Sequence, residues 1–433
     1  MKLFGSSGIR AVYDKNLLET AFRVGLAAGQ KYGKVVVGRD PRTSGGAMNH
    51  AVVSGLLASG AYCSDAGVAP TPTIAYIARE FDAGIVITAS HNPPEYNGLK
   101  LFNPDGSSFD AVRQEQIEEI ILHRSYKYAG WRQLKPGNLY SGAIEQHIDA
   151  VLAHFPRKLN IKAVVDCGGG AASEVTPGLL EKMGCEVVPL YCVPDGSFPR
   201  GSEPNQANLQ GLGRRVIETG AALGIAHDGD ADRMMAVDEK GRFISGDKLL
   251  EIFIKATGVK DAVTTLDASM AVDEMGIKIR RTKIGDTWVS EELRKGGDFG
   301  GETSGAWIFP RLSFCPDGIY AAACLASIAA NNKLSNLVDT VSSYPLLRGN
   351  VDSTGLDITR LTSFLEAMRP RAINRLDGIK LDFSDGWLLV RPSGTEPKIR
   401  LTAEAKTEKA VHELYERGLA AVNSCISGGR SMN

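Results

Sequence analysis

Short apolar runs recur along the chain, each bounded by glycine or polar turn residues and separated by segments with helical amphipathic spacing. "KVVVGRD" (34–40), "AYCSDAGV" (61–68), "AGIVITAS" (83–90), "KAVVDCGGG" (162–170), "CEVVPLY" (185–191) and "DAVTTLDAS" (261–269) read as strands. Their alternation with helix-like stretches predicts βαβ units built around buried, mainly parallel or mixed sheets.

Three passages also share an element order. "GAYCSDAGVAPTPT" to "AGIVITASHNP", "GCEVVPLYCVPDGSFP" to "ALGIAHDGDADR", and "GIKIRRTKIGDTWV" to "GGDFGGETSGA" each run from glycine through a strand, a polar loop and a helix to a second strand or turn. Each ends in an unusually polar loop. Identity among them is low, so the repeat rests on element order. From about Leu346 the pattern changes to a helix-like "RLTSFLEAMRPRAI", a hairpin-like series "DGIKLDFSDGWLLVRPSGTEPKIRLTAEA" and an amphipathic "EKAVHELYERGLAAV". The prediction is an α/β protein with three related mixed-sheet domains, at 1–150, 151–248 and 249–345, and a smaller C-terminal α+β domain at 346–433.

Composition changes this picture little. At 433 residues, 43% hydrophobic and 23% charged, the chain can bury several cores. A formal net charge of -1 gives no global field for nucleic acid or an anionic membrane, so neither is expected as a partner. Seven scattered cysteines, without CxxC or metal-ligand spacing, suit reduced structural thiols. The start "MKLFGSSGIR" has no apolar signal core and no later run approaches a membrane span, so a cytoplasmic location is expected. Only the tail "NSCISGGRSMN" reads as disordered.

Four loops carry candidate chemistry. In "VITASHNP" (86–93) an apolar strand runs into Ser90, which can serve as a nucleophile, a helix cap or a turn residue. His91 beside it suggests Ser–His catalysis, but sequence neighbours seldom share that geometry, and no GxSxG elbow or acid partner accompanies them. In "HDGDADRM" (227–234) Asp228, Asp230 and Asp232 stand at alternate positions, and three hard oxygen donors aimed at one point favour a divalent cation such as Mg²⁺. A solvated acidic turn is the plain alternative. A calcium loop would place glycine where Arg233 stands, and although Glu239 falls at its twelfth position, the flanks read as strands.

"RPSGTEPKIR" (391–400) offers Arg391, Ser393, Gly394 and Thr395, a guanidinium, two hydroxyls and an approachable backbone suited to a phosphate. A Ser-Gly β-turn accounts for it equally well. "GGETSGAWIFP" (300–310) places Glu302 and Ser304 in a glycine-rich loop, where carboxylate and hydroxyl can meet sugar hydroxyls or simply make a turn.

Taken in order, "FGSSGIR", "TASHNPPEYNGLK", "DGDADRM", "GETSG" and "RPSGTEPKIR" resemble the α-D-phosphohexomutase family across essentially the whole chain. The resemblance implies four domains facing a central cleft. It makes Ser90 a phosphoserine that, with Asp228, Asp230 and Asp232, holds Mg²⁺, and makes Arg391, Ser393, Gly394 and Thr395 a clamp on the substrate's phosphate. Glu302 and Ser304 match the sugar-recognition loop, Arg10 and Lys100 basic residues beside the serine, and His91 and Arg233 groups lining the cleft. Lys100 is then a general acid or base if cationic neighbours depress its pKa, and otherwise an electrostatic clamp.

The implied reaction moves a phosphate between Ser90 and either end of a hexose monophosphate through a 1,6-bisphosphate, which also serves as activator. Two positions depart from the family pattern, Ala306 where histidine is common and Ala11 where glycine is common. "GETSGAW" and "LFGSSGIR" look most like archaeal members assigned to glucosamine phosphate, with mannose and glucose phosphates as the alternative substrates. A Mg²⁺-dependent phosphatase and a non-catalytic sugar-phosphate sensor are the rival readings, and Arg233 after Asp232 does not suit the DxDx[TV] pattern of an aspartate-nucleophile phosphatase.

Overall fold

The computed structural model describes residues 3–5, 8–156, 158–392 and 398–426. The strands form four sheets. The first contains β1 (Ile9–Val12), β2 (Lys34–Arg39), β3 (Tyr62–Val68), β4 (Ala83–Ile87), β5 (Tyr96–Phe102) and β6 (Gly137–Leu139) in the order β1-β5-β4-β2-β3-β6. Its centre is parallel, and β5 and β1 are added antiparallel at one side. The second repeats the plan with β7 (Lys162–Asp166), β8 (Glu186–Leu190), β9 (Leu223–His227), β10 (Met234–Asp238) and β11 (Phe243–Ile244) in the order β11-β10-β9-β7-β8. Here too β7, β8 and β9 run parallel, and β10 returns antiparallel to β9.

A third sheet, β13-β12-β14-β15, is built from β12 (Asp261–Thr265), β13 (Lys278–Thr282), β14 (Phe299–Gly301) and β15 (Trp307–Ile308). The fourth, in the order β16-β20-β19-β18-β17, is antiparallel throughout and is formed by β16 (Leu346–Asp352), β17 (Ala372–Asn374), β18 (Ile379–Asp382), β19 (Gly386–Pro392) and β20 (Lys398–Ala405). Every apolar run read as a strand is one. Central strands are apolar at successive positions because helices cover both faces, so β4 and β9 are buried from end to end.

One topological feature places the chemistry. Each of the four motif loops joins a strand to its antiparallel partner: the serine loop lies between β4 and β5, the aspartate loop between β9 and β10, the Glu302 loop between β14 and β15, and the 393–397 segment between β19 and β20. This equivalence gives the repeat a structural basis. By compactness the chain falls into two units, 1–263 with 285–341, and 264–284 with 342–433. Within the second, Met270 N–H donates to Glu404 at 2.7 Å and Lys380 Nζ to the Leu266 carbonyl at 3.0 Å, so 264–284 packs with the C-terminal strands.

Part of the tail read as disordered, residues 423–426, is ordered. Asn423 ends the last helix (Glu408–Asn423) and Cys425 is buried, because the helix packs on β19 and β20 and carries these residues into that core. Residues 427–433 lie outside the described residues.

Candidate active site

Ser90 sits one turn beyond the buried strand β4 and is itself buried, with φ of +51°. A left-handed serine is uncommon, so its surroundings must hold it there. Its N–H donates to Thr88 Oγ1 at 2.8 Å, and Thr88 donates in turn to Asp40 Oδ2 at 2.6 Å. Arg42 completes the support. Its guanidinium, fully buried, donates to the carbonyls of Ser90 (2.7 Å), Asn92 (2.7 Å), Pro93 (2.5 Å) and Tyr96 (2.9 Å), and its Nε to Asp40 at 2.9 Å. Ser202 Oγ donates to the carbonyls of His91 and, at 3.0 Å, Asn92.

The aspartate loop meets this serine directly. Ser90 Oγ donates to Asp228 Oδ2 at 2.7 Å, and Lys100, projecting from β5, donates to Asp230 Oδ2 at 2.7 Å and Asp232 Oδ2 at 2.5 Å. Thr71 Oγ1 donates to Asp230 at 2.6 Å, and the Arg233 N–H to Asp228 Oδ1 at 3.1 Å. Buried His227 closes the loop, its Nδ1 lying 3.0 Å from the Arg233 carbonyl and its Nε2 3.1 Å from Thr176 Oγ1. Ala231 turns the chain with φ of +60°.

Charge dominates here. Burial raises Asp228 well above the ordinary carboxylate range, and its neighbours Asp232 and Asp230 add to the effect. Burial, reinforced by Asp230, also raises Asp232. Asp230 feels the same desolvation, but Lys100 and Thr71 outweigh it and hold that carboxyl below its usual range. Lys100 answers the same way: burial works against its charge, while Asp230 and Asp232 more than offset it, so the ammonium is reinforced. Of the two roles open to Lys100, these neighbours favour the electrostatic clamp. His91 is drawn down to about 2 by burial and by Arg233, Arg10 and Lys100, so it is a neutral imidazole 3.4 Å from Ser90 Oγ. Among the described residues no carboxylate hydrogen-bonds the His91 ring, so the Ser–His pair does not make a triad.

The residues fit a divalent cation. One carboxylate oxygen from each of Asp228, Asp230 and Asp232 lies within 4.8 Å of the other two. Among the described residues, Asp230 Oδ1 and Asp232 Oδ1 are buried without a hydrogen-bond partner. Unpaired buried carboxylate oxygens are costly, and a hard cation satisfies them. The calcium-loop alternative fails on geometry, since Glu239 binds Ser335 N at 3.0 Å and Oγ at 2.5 Å instead of the aspartates.

The other predicted residues are distributed as follows. Arg10 Nη1 donates to Asn92 Oδ1 at 3.2 Å, beside the serine. Arg233 pairs with Glu203 at 3.7 Å and bridges to Ala306, which ties the Glu302 loop to the aspartate loop; Met234 N–H also donates to the Gly305 carbonyl at 2.9 Å. Glu302 Oε1 accepts from Gly285 N–H at 2.6 Å, and Ser304 Oγ donates to Glu302 Oε2 at 3.3 Å. Gly305 disfavours a side chain, since its φ is +97° and a Cβ would lie 3.0 Å from the Met234 carbonyl oxygen. Arg391, in the second unit, pairs with Asp377 at 2.8 Å. Ser393, Gly394 and Thr395 lie outside the described residues.

Sequence reasoning missed Arg42, Asp40, Thr71 and Thr88. The cue available was the charged "GRDPR" at the end of β2, the same kind of position that drew attention to Ser90.

Family models of phosphoglucomutase/phosphomannomutase match in sequence: alpha/beta/alpha domain I at residues 1–127, domain II at 139–241, domain III at 245–344 and the C-terminal domain at 354–420. A probable phosphoglucosamine mutase of Methanocella arvoryzae is 48% identical over 98% of this chain and 99% of its own. A phosphoglucosamine mutase of Methanococcus maripaludis is 40% identical over 99% and 100%. Among solved structures, a phosphoglucomutase/phosphomannomutase family protein from Burkholderia thailandensis superposes with a TM-score of 0.88 at 27% identity, covering 99% of this chain and 98% of that one.

Proposed function

The chain belongs to the phosphoglucomutase/phosphomannomutase family, and on that premise we propose that it interconverts glucosamine 6-phosphate and glucosamine 1-phosphate. One observation carries the reading: the buried Ser90 hydroxyl is bonded to the first of three clustered aspartates, with a lysine on the other two. Phosphoryl transfer needs positioning and charge neutralisation above all, and the site is built for both.

Phosphorylated Ser90 gives its phosphoryl group to the free hydroxyl of the hexose monophosphate: the sugar O–P bond forms as the Ser90 Oγ–P bond breaks, and the hydroxyl proton ends on Ser90 Oγ. The 1,6-bisphosphate so formed reorients, and its other phosphate returns to Ser90. Arg42, through four carbonyls, and Thr88, through the Ser90 N–H, fix the serine in its strained conformation, so little reorganisation accompanies transfer. Lys100 and Arg10 offset charge on the phosphoryl oxygens. Asp228, Asp230, Asp232 and an oxygen on Ser90 would hold Mg²⁺, which when bound supplies Lewis-acid stabilisation of that charge. Glu302 and Ser304 are assigned to the sugar hydroxyls, Arg233 and His91 to the walls of the site, and Arg391, Ser393, Gly394 and Thr395 to the grip on the substrate's phosphate. A hexose 1,6-bisphosphate is the activator that primes Ser90. Among the described residues no helix is long and apolar enough to cross a membrane, and a cytoplasmic enzyme acting on a soluble sugar phosphate fits that.

The test is a substrate panel of glucosamine, glucose and mannose phosphates, read as kcat/KM with Mg²⁺ and bisphosphate, with inorganic phosphate measured in parallel. The highest value is expected for glucosamine phosphate, with negligible phosphate release. A higher value for mannose or glucose phosphate replaces the sugar assignment. Phosphate release that keeps pace with substrate loss replaces the mutase with a phosphatase.

A further inference from the structure

The aspartate loop has an unexplained pair of thiols beneath it. Cys167 follows β7 and Cys192 follows β8, parallel neighbours in the second sheet, and the two sulfurs are 3.2 Å apart. Cys167 is fully buried, whereas Cys192 is only half-buried.

The pair sits where two structural supports of the site begin. After Cys167 the chain turns through Gly168–Gly170, and the Ala171 N–H donates to the Gly229 carbonyl at 2.9 Å, directly under the aspartate loop. Asp166, just before Cys167, pairs with Arg200 at 2.8 Å, and Arg200 donates to the His227 carbonyl at 2.6 Å. Cys192 opens the segment that carries Phe198, whose ring covers the Arg42 guanidinium at 4.8 Å, and Ser202, which binds the carbonyls of His91 and Asn92. Serine loop and aspartate loop therefore lean on the segment that starts at Cys192.

We propose that Cys192 and Cys167 form a hydroperoxide-reactive dithiol site that closes to a disulfide at the base of segment 192–202. The sulfurs need to approach by little more than about 1 Å to reach the ~2.05 Å of a disulfide. A second feature assists: the hydrogen bond between the two sulfurs draws Cys192 below the ordinary thiol range, whereas burial pushes Cys167 well up. Cys192 is the attacking sulfur. Its thiolate forms an S–O bond as the peroxide O–O bond breaks, and the released hydroxide takes up the thiol proton as water. Cys167 sulfur then attacks the sulfenic sulfur. The S–S bond forms, the S–O bond breaks, and the departing hydroxide takes the Cys167 proton as a second water. The two thiols lose two electrons and hydrogen peroxide gains them. The remaining five cysteines are buried and have no partner sulfur among the described residues.

The experiment uses the full-length protein, freed of reductant, exposed to hydrogen peroxide, alkylated and peptide-mapped, a readout independent of mutase activity. A crosslink between the peptides bearing Cys167 and Cys192 is expected, with the other five of the seven thiols still alkylatable. In Cys167→Ser, Cys192 should stop at a sulfenic acid trapped by dimedone; in Cys192→Ser, Cys167 should remain an unmodified thiol. Oxidised wild-type protein should melt a few degrees higher, reversed by a dithiol reductant. Seven alkylated thiols after peroxide, a crosslink involving another cysteine, or a lower melting temperature for the oxidised form would overturn the proposal.

Discussion

Buried cations in the two compact units behave in opposite ways. In the first unit, Arg42 meets Asp40 and four carbonyls, and Lys100 meets two carboxylates that more than offset the burial of its ammonium. In the second unit Lys380 is just as buried, but its ammonium has one carbonyl at 3.0 Å, the Trp387 ring at 4.4 Å, and Asp382 no closer than 3.9 Å. Burial, with Arg281 adding repulsion, pulls it down to about 8. Burial alone therefore sets no charge state. Partners do, and in this protein the fully partnered cations are the ones beside the proposed phosphoserine.

The largest effect is expected at Arg42. Arg42→Ala strands four carbonyls and a buried carboxylate, and should destabilise the first unit by about 3–5 kcal/mol, seen as a lowered denaturant midpoint. Arg42→Lys, lacking the planar fork, should recover only part of that. A loss under about 1 kcal/mol for the alanine variant would mean the guanidinium is not the support described. Next, Lys100→Met should cut turnover roughly 10²–10³-fold, whereas Lys380→Met should leave kcat within about twofold. Equal losses for the two lysines would erase the distinction.

Lys380 also gives a pH signature. Its folded pKa lies below the unfolded value of 10.5, so between about 8 and 10.5 the unfolded chain holds more protons and stability rises with pH. The penalty is complete below pH 8 and gone above 10.5. Lys380→Met should therefore be more stable than wild type at pH 7, by at most about 3 kcal/mol, with the gap closing as pH reaches 10.5. A gap that stays constant across that range rejects the shift. Smallest of all, Ala231→Gly removes left-handed strain at φ +60° and should stabilise by about 1 kcal/mol, with turnover unchanged. A large drop in turnover would show that the methyl group, and not charge, shapes the aspartate loop.

Much of this was legible in the sequence because strands buried on both faces leave unbroken apolar runs, as in "KVVVG" and "AGIVI". The serine and aspartate loops were legible because their chemistry demands unusual residues at strand ends. Arg42 was not, since its acceptors are backbone oxygens 48 to 54 residues away, which no side-chain pattern encodes. The charge state of Lys100 needed carboxylates 130 and 132 residues further on. The grouping of 264–284 with the C-terminal strands rests on contacts such as Met270 with Glu404, 134 residues apart. β16 escaped notice because "LLRGNVD" mixes apolar, basic and glycine positions on a half-exposed strand.

The proposed reaction requires one oxygen, Ser90 Oγ, to carry phosphate in transit. Incubation with a labelled hexose 1,6-bisphosphate, peptide mapping, and a chase with unlabelled hexose monophosphate address this directly. The expected result is label on Ser90 alone, about one phosphate per chain, transferred to the sugar on the chase and absent from Ser90→Ala. Label on an aspartate, or label leaving Ser90 only as inorganic phosphate, would contradict it.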